Sequence, residues 1–276
     1  MRRLLLLPRA AAATPSVALG VVRHGLFGES ARVAYFLFLS IFPLLLILFA
    51  LTGYWGGDAA FRLIMRLGEY LVPAEGARWL ETFGHQVTSE HRPGVLSAGL
   101  LLAAWSASGV FAALCESLNR VHGVVEGRSW FRRRLLSILV LTVTSALLLL
   151  SGLGLLVAPG LLKRLGVPLA LRVLNGSVIF VLASVTLYLI LYLLPDRDLS
   201  RHRPEVAVAA LIGCGLWFVL AALLRVWVVR HGFREIYGVV GGVIALLLWV
   251  YLSAFTILVA GEFVAALTGG AKRGRR

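Results

Sequence analysis

The residues of this chain that could do chemistry are few, and their spacing matches none of the common catalytic patterns. The six histidines include no HxH, HxxxH or HExxH pair, the spacings that bring two imidazoles to one metal ion. No glycine-rich loop ends in Gly-Lys-Ser/Thr, and GxSxG does not occur. Asp196 and Asp198 lie close together, but three arginines share their loop, so solvated ion pairing is the expected role. The sequence predicts a protein that is not an enzyme, with no catalytic residues, no metal and no cofactor.

A second group of polar residues lies within or at the ends of long apolar segments. These are Ser40, Ser106, Ser108, Glu116, Asn119, Tyr192, Tyr237 and Glu262. A polar group at membrane depth costs free energy unless it is paired, so such residues form interhelical hydrogen bonds or line a pathway. For the serines we expect the structural role. For Glu116 with Asn119 both roles stay open, and Glu262 lies either at the headgroup level or turned inward to a partner.

The composition around these residues is that of a membrane protein. Of the 276 residues 59% are hydrophobic and 14% charged, and the mean hydropathy is +0.89. The formal charge of +14 comes from short basic clusters between apolar segments, where anionic lipid headgroups explain it. Membrane lipids are therefore the expected partners, and nucleic acid is not. Cys115 and Cys214 both fall inside apolar segments, which is typical of packing residues.

Six apolar segments predict six transmembrane helices, at about 33–55, 94–115, 135–162, 173–195, 206–224 and 236–261. The last has no charged residue and reaches roughly 39 Å at about 1.5 Å per residue, enough to cross a hydrocarbon core of roughly 30 Å at a tilt. Pro43 predicts a bend near Ser40 in the first segment, where packing is favoured over a gate or binding notch. The predicted fold is all-α, a polytopic six-transmembrane-helix bundle.

The remaining segments flank this membrane domain, predicted over 33–267. Residues 1–32 form a cytoplasmic N-terminal segment with an interfacial helix beginning at Pro15, and the four leucines before Pro8 are too few for a signal peptide. Residues 58–90 carry two amphipathic patterns, which predict interfacial helices in the first extracytoplasmic loop. Residues 268–276 are a basic cytoplasmic tail.

The distribution of basic residues predicts the orientation. With six spans both termini lie on one side, and the segments of that side hold 17 arginines and lysines against 10 on the other. Because cytoplasmic segments carry the excess of Arg and Lys, we expect both termini in the cytoplasm.

Four blocks of the sequence stand out, ARVAYFLFLSIFPLLLILFAL, LLAAWSASGVFAALCESLNRVHGVVEGRSWFRRR, LYLLPDR and YGVVGGVIALLLWVYLSAFTILVAGE. They resemble a known family of bacterial inner-membrane proteins, the YihY/virulence factor BrkB family. They follow in order, with correct spacing, over nearly the whole chain. The family pattern falls on Ala34, Tyr35, Ser40, Pro43, Trp105, Ser106, Ser108, Asn119, Glu126, Arg128, Tyr192, Pro195, Tyr237, Gly238, Trp249, Gly261 and Glu262. The chain departs from the family pattern at two places. After Pro204 the family usually has Gly-Ala, and this chain has Glu205-Val206. After Glu262 the family usually has an apolar residue and then Asn, and this chain has Phe263-Val264.

The resemblance implies a multi-pass protein of the bacterial cytoplasmic (inner) membrane, with family names tied to serum resistance and, by an older label, to ribonuclease BN. The sequence argues against the nuclease label, because metal-dependent RNA cleavage uses clustered His and Asp ligands. Two hypotheses remain. The first is a transporter or export factor for a lipid or another amphiphile. The second is a non-conducting membrane scaffold that binds an envelope partner or a second copy of itself.

Overall fold

The structure is a computed structural model that describes residues 6–51, 61, 62, 65, 81, 82, 84, 85, 93–140, 142–144, 146, 147, 169–230 and 233–269. Within these residues every regular element is a helix. The helices are α1 Leu6–Arg23, α2 Leu26–Leu51, α3 Pro93–His122, α4 Leu169–Leu193, α5 Arg203–Arg230 and α6 Phe233–Leu267. A 3-10 turn, Ser200–His202, precedes α5, and residues 130–140 are also helical.

The helices extend further than the predicted spans. α2 begins at Leu26, α3 continues to His122 and α6 continues to Leu267, because polar residues near these ends find partners, as described below. Of the third predicted span, residues 148–162 lie outside the described residues, as do most of 58–90 and the tail beyond 269. Within 58–90, the described positions 61, 62, 65, 81, 82, 84 and 85 are helical.

The expectation that the first helix begins at Pro15 is wrong. α1 begins at Leu6 and passes through Pro15. Leu6, Ala10 and Val17 are all buried and recur at helical spacing, so their packing outweighs the hydrogen bond that proline removes. Leu19, in contrast, is exposed, because it lies about 200° around the helix from Val17.

Glycines with positive φ end two of the helices. Gly25 (φ 62°) joins α1 to α2, and the N–H groups of Gly28 and Glu29 both donate to its carbonyl, at 3.0 and 3.1 Å. Gly123 (φ 63°) follows α3, where the N–H of Val124 donates to the carbonyl of Asn119 at 2.9 Å. Glycine adopts this left-handed conformation without the steric cost of a Cβ atom, so both chain reversals are fixed.

Contacts divide the chain into two compact units. The first comprises Met1–Ala31, Phe111–Val219 and Ser253–Arg276, and the second comprises Arg32–Val110 and Leu220–Leu252. Leucines fill the core of the first unit, namely Leu26, Leu118, Leu191, Leu194 and Leu258. In the second unit the ring of Phe61 packs 5.8 Å from Phe49 and 4.7 Å from His85.

Small residues let four helices of the first unit approach closely, namely α3, α4, α5 and α6. A Cβ atom added to Gly213 on α5 would lie 2.6 Å from Cβ of Ala260 on α6 and 2.9 Å from a methyl group of Leu187 on α4. A Cβ atom added to Gly261 would lie 2.6 Å from a methyl group of Leu118 on α3. Close backbone approach at glycine is the usual basis of helix packing in membranes, where no hydrophobic effect drives helices together.

Two stretches in the described part of the chain are long and apolar enough to cross a bilayer, Ser200–Val228 and Val243–Leu267. Their apolar residues are largely outside the core: Val219 is 56% exposed and Leu223 is 59% exposed. A water-soluble protein rarely leaves contiguous apolar surface of this kind, whereas lipid contact stabilises it. The six-span arrangement stays a prediction.

We expect Gly213→Ala to destabilise the protein. The new methyl group would overlap Ala260 and Leu187, and overpacking of this kind costs about 1–3 kcal/mol. Gly215→Ala is the matched control, since a Cβ atom there meets nothing within 4 Å and alanine favours a helix by about 1 kcal/mol. Thermal unfolding in detergent measures both variants, and equal midpoints would contradict this packing.

Candidate functional site

One cluster of polar side chains joins the loop after α3 to the loop after α4. We call it the loop latch, and its members are Cys115, Asn119, Glu126, Arg128 and Asp196. At its centre Arg128 donates two parallel hydrogen bonds to Glu126, from Nε to Oε1 at 2.6 Å and from Nη2 to Oε2 at 2.8 Å. The two side chains are only 11% and 17% exposed. This bidentate geometry is the strong form of an ion pair.

Arg128 also reaches the end of α4. Its Nη2 donates to the carbonyl of Leu194 at 2.7 Å, and its Nε lies 3.6 Å from Oδ1 of Asp196. Asp196 accepts from the backbone N–H of Gly127 at 2.8 Å. The two loops are thus held by contacts in both directions, because each supplies a charged group to the backbone of the other.

Asn119 uses both ends of its amide in the latch. Its Oδ1 accepts from the backbone N–H of Asp196 at 2.7 Å, and its Nδ2 donates to Oε2 of Glu126 at 2.8 Å. Cys115, one turn earlier on α3, donates its S–H to the same carboxylate oxygen at 3.1 Å. An amide that is almost fully buried is stable only when both ends are paired, and here both are.

The electrostatics of the latch indicate a structural role. Hydrogen bonds from Arg128 hold the pKa of Glu126 below its usual 4.5, at about 2, against the opposing effect of burial. The same bonds raise the pKa of Arg128. Because both groups keep their charges at every physiological pH, neither is suited to donate or accept a proton in a reaction.

A buried histidine–carboxylate pair joins the α1–α2 turn to α6. His24 Nδ1 lies 2.5 Å from Oε1 of Glu262, and the two side chains are 24% and 5% exposed. Gly20 closes over the carboxylate from α1: a Cβ atom added there would lie 2.7 Å from the carboxyl carbon of Glu262. Glu262 is therefore turned inward to a partner within the protein.

A second buried carboxylate lies at the start of α2. Glu29 accepts from Nη1 of Arg120 at 2.5 Å and from Oγ of Ser117 at 2.7 Å, which ties α2 to α3. The sequence analysis did not single out Glu29, Ser117, Arg120 or His24. The one sequence signal for Glu29 was its charge just before the first apolar segment, and this did not identify Arg120 or Ser117 as its partner.

His122, the last residue of α3, is buried with one ring nitrogen unused. Its Nδ1 lies 2.8 Å from the carbonyl of Leu118, and its Nε2 has no hydrogen-bond partner. Burial lowers the pKa of His122 from 6.5 to about 4, and the neighbouring charges of Arg197 and His24 act in the same direction. The ring is therefore neutral at pH 7.

The structure separates residues that the sequence grouped. Glu116 lies 3.6 Å from Arg133 and is not in the latch with Asn119. Asp196 was expected to form solvated ion pairs within its own loop, but its partners are Gly127 and Arg128, because the loop after α3 approaches it. Asp198 accepts from the N–H of Ser200 at 2.9 Å.

Among the other predicted positions, Ser40 Oγ donates to the carbonyl of Leu37 at 2.7 Å, and Trp105 and Trp249 are exposed. Pro195 is buried beside the latch, and the Tyr192 ring lies 5.9 Å from the guanidinium carbon of Arg203. The helix α2 continues through position 43. The structure does not describe the side chains of Pro43, Ser106, Ser108 and Tyr237 or the surroundings of Gly238.

Comparison with known proteins gave two matches. The family model described as virulence factor BrkB matches residues 18–276. A protein of Bacillus subtilis (strain 168) named "Putative ribonuclease-like protein YfkH" is 32% identical over 253 residues, which is 87% of this chain and 89% of the relative. No solved structure gives a significant match.

We expect Glu126→Gln to destabilise the protein by about 2–3 kcal/mol at neutral pH, because Arg128 would lose its charged partner. The folded-state pKa of Glu126 is below its usual value, so its contribution is complete above about pH 4.5 and is lost as the pH falls toward about 2. Unfolding in detergent should therefore show the difference between wild type and variant shrinking over that interval. Glu116→Gln, at the more exposed ion pair of α3, should change stability by less than about 1 kcal/mol.

We expect Gly20→Ala to break the contact between α1 and Glu262. The methyl group would occupy the position of the carboxylate, and the resulting loss is about 1–3 kcal/mol despite the higher helix propensity of alanine. Gly28→Ala is the matched control, since a Cβ atom there meets nothing within 4 Å. An unfolding midpoint in detergent that is the same for Gly20→Ala and for Gly28→Ala would contradict this geometry.

Proposed function

Because the chain belongs to the virulence factor BrkB family of membrane proteins, we propose that it moves a lipid or another amphiphile across the membrane or out of it. The observation that carries the proposal is the buried pair of His24 and Glu262. Glu262 lies on Val243–Leu267, one of the two candidate membrane spans. An ionisable residue buried in such a helix is costly, and in membrane proteins it is characteristic of substrate and ion pathways.

The rest of the polar architecture is compatible with this role. Glu29, Glu126 and Asp196 are held by arginines or backbone groups that fix helix ends and loops. Glu262 has a different partner, a histidine, which can be neutral or protonated. We therefore assign the loop latch to stability and the buried pair to function.

We further propose that the protein is a multi-pass protein of the bacterial inner membrane with both termini in the cytoplasm. The excess of Arg and Lys supports this orientation. So do contacts among the four segments assigned to the cytoplasmic side: His24 pairs with Glu262, Gly127 with Asp196, and Arg197 donates to the carbonyl of Thr268 at 3.5 Å.

RNA cleavage is the second candidate function, because the Bacillus relative is named ribonuclease-like. We favour a non-enzymatic role, since Glu126 and Asp196 are engaged in the latch and serve the loops there. Incubation of the purified protein with structured RNA and Mg²⁺, Mn²⁺ or Zn²⁺ tests this. Cleavage that co-elutes with the protein and is lost in Glu126→Gln would favour the nuclease.

Transport can be measured in vesicles that contain the purified protein and a fluorescent phospholipid. A membrane-impermeant quencher is added outside, and we expect inner-leaflet lipid to move to the outer leaflet, where it is quenched, faster than in protein-free vesicles. Glu262→Gln should slow this lipid movement by about tenfold, equivalent to about 1.4 kcal/mol on the barrier. The matched control is Asp198→Asn, at an exposed loop acid, which should behave as wild type.

Equal rates in vesicles with and without wild-type protein would overturn the transport proposal for phospholipids. If cross-linking in cells then recovered one dominant envelope protein, the scaffold hypothesis would be favoured.

A further inference from the structure

We infer that His24, His122 and Glu262 form a proton-binding site at one end of the first unit, which couples the proposed transport to proton movement. The inference rests on the proposed function for its biological meaning, and it identifies what would drive the transport. The three residues come from the α1–α2 turn, the end of α3 and α6, and all of them lie in the first unit.

The first argument is the geometry of the pair. His24 Nδ1 and Glu262 Oε1 are 2.5 Å apart, so one proton lies between two groups that can each hold it. Glu262 is almost fully enclosed, whereas His24 is about one quarter exposed. The imidazole therefore connects an enclosed carboxylate with the outside of the unit, as a proton relay requires.

The second argument is the unused nitrogen of His122. A backbone carbonyl only accepts, so His122 must carry its proton on Nδ1, 2.8 Å from the carbonyl of Leu118. The Nε2 of the neutral ring is then a bare acceptor, buried and without a partner. Buried polar groups are nearly always satisfied, so an unused acceptor at this depth indicates a position for a water molecule or for a proton in transit, since the lowered pKa leaves the ring neutral at rest.

Helix packing places His122 beside the pair. Leu118 and Val121 of α3 both face Gly261, the residue before Glu262. His122 lies one turn beyond Leu118 on the same face of α3. The charge of His24 acts on His122 in addition, so the two imidazoles are electrostatic neighbours.

Several described elements supply charged or titratable groups to the site. α1 supplies Arg23, whose charge acts on Glu262, and the turn supplies His24. The end of α3 supplies His122, and the loop after α4 supplies Arg197, whose charge acts on His122. With two arginines around one carboxylate, the site holds excess positive charge even when both histidines are neutral.

The proton balance of one cycle follows from this arrangement. In the first state a single proton is shared by His24 and Glu262. The pair then has net charge zero, whichever of the two groups holds the proton. Uptake of one further proton from water leaves His24 positive and Glu262 a neutral carboxylic acid, so the charge of the pair rises by one. Release of that proton to water restores the first state, and if it passes through Nε2 of His122 that ring is positive until it releases the proton to water in turn.

Infrared difference spectroscopy of the full chain in detergent tests the inference without any transport measurement. Spectra are compared between about pH 8 and about pH 5, an interval in which exposed carboxyl groups stay ionised because their pKa is about 4. We expect wild type to gain a carboxylic-acid C=O band on acidification that Glu262→Gln lacks and that Asp198→Asn retains. His24→Gln removes the group that shares the proton with Glu262, so the pH at which the band is present should differ from that of wild type.

The inference is overturned if Glu262→Gln gives the same difference spectrum as wild type, or if wild type gains no such band. Should Glu262→Gln fail to fold, His24→Gln decides alone, since an unchanged titration of the band there also overturns the inference. A wild-type band together with no lipid movement in vesicles would contradict the proposed function and leave the proton site standing.

Discussion

The structure of the first unit depends on how one carboxylate is kept inside an apolar helix. Glu262 lies near the end of a candidate membrane span, where an unpaired charge would be strongly destabilising. The chain meets this constraint with α1: Gly20 allows the backbone to reach the carboxylate, and Gly25 turns the chain so that His24 pairs with it. Replacing any of these features would alter the position of the whole N-terminal helix.

The charged groups of the loop latch differ from Glu262 in that arginine pairs with them and they stay ionised. Arg128 neutralises Glu126 and binds the end of α4, while Asn119 joins α3 to the loop that follows α4. The family positions Asn119, Glu126 and Arg128 thus meet in one network, with Pro195 beside it. Together they hold the two loops to each other.

Much of the helical architecture could be predicted from the sequence, because apolar segments of membrane length have few alternatives. The positions of helix ends could not, since they depend on partners distant in the chain: α1 passes through Pro15 because Leu6 and Ala10 are buried. The site was predicted in part. Glu262 and Asn119 stood out as polar groups at segment ends, but His24 is 238 positions from Glu262, and no local spacing connects them. Glu29 with Arg120 was missed for the same reason.

The distance along the chain between His24 and Glu262 bears on biogenesis. The imidazole leaves the ribosome early, and its carboxylate partner is made only after every other described helix has been synthesised. Proteins are made from the N-terminus and fold in that order, so the contact between His24 and Glu262 forms only after α6 has been synthesised. A nascent chain that stops before α6 therefore leaves His24 without its carboxylate partner.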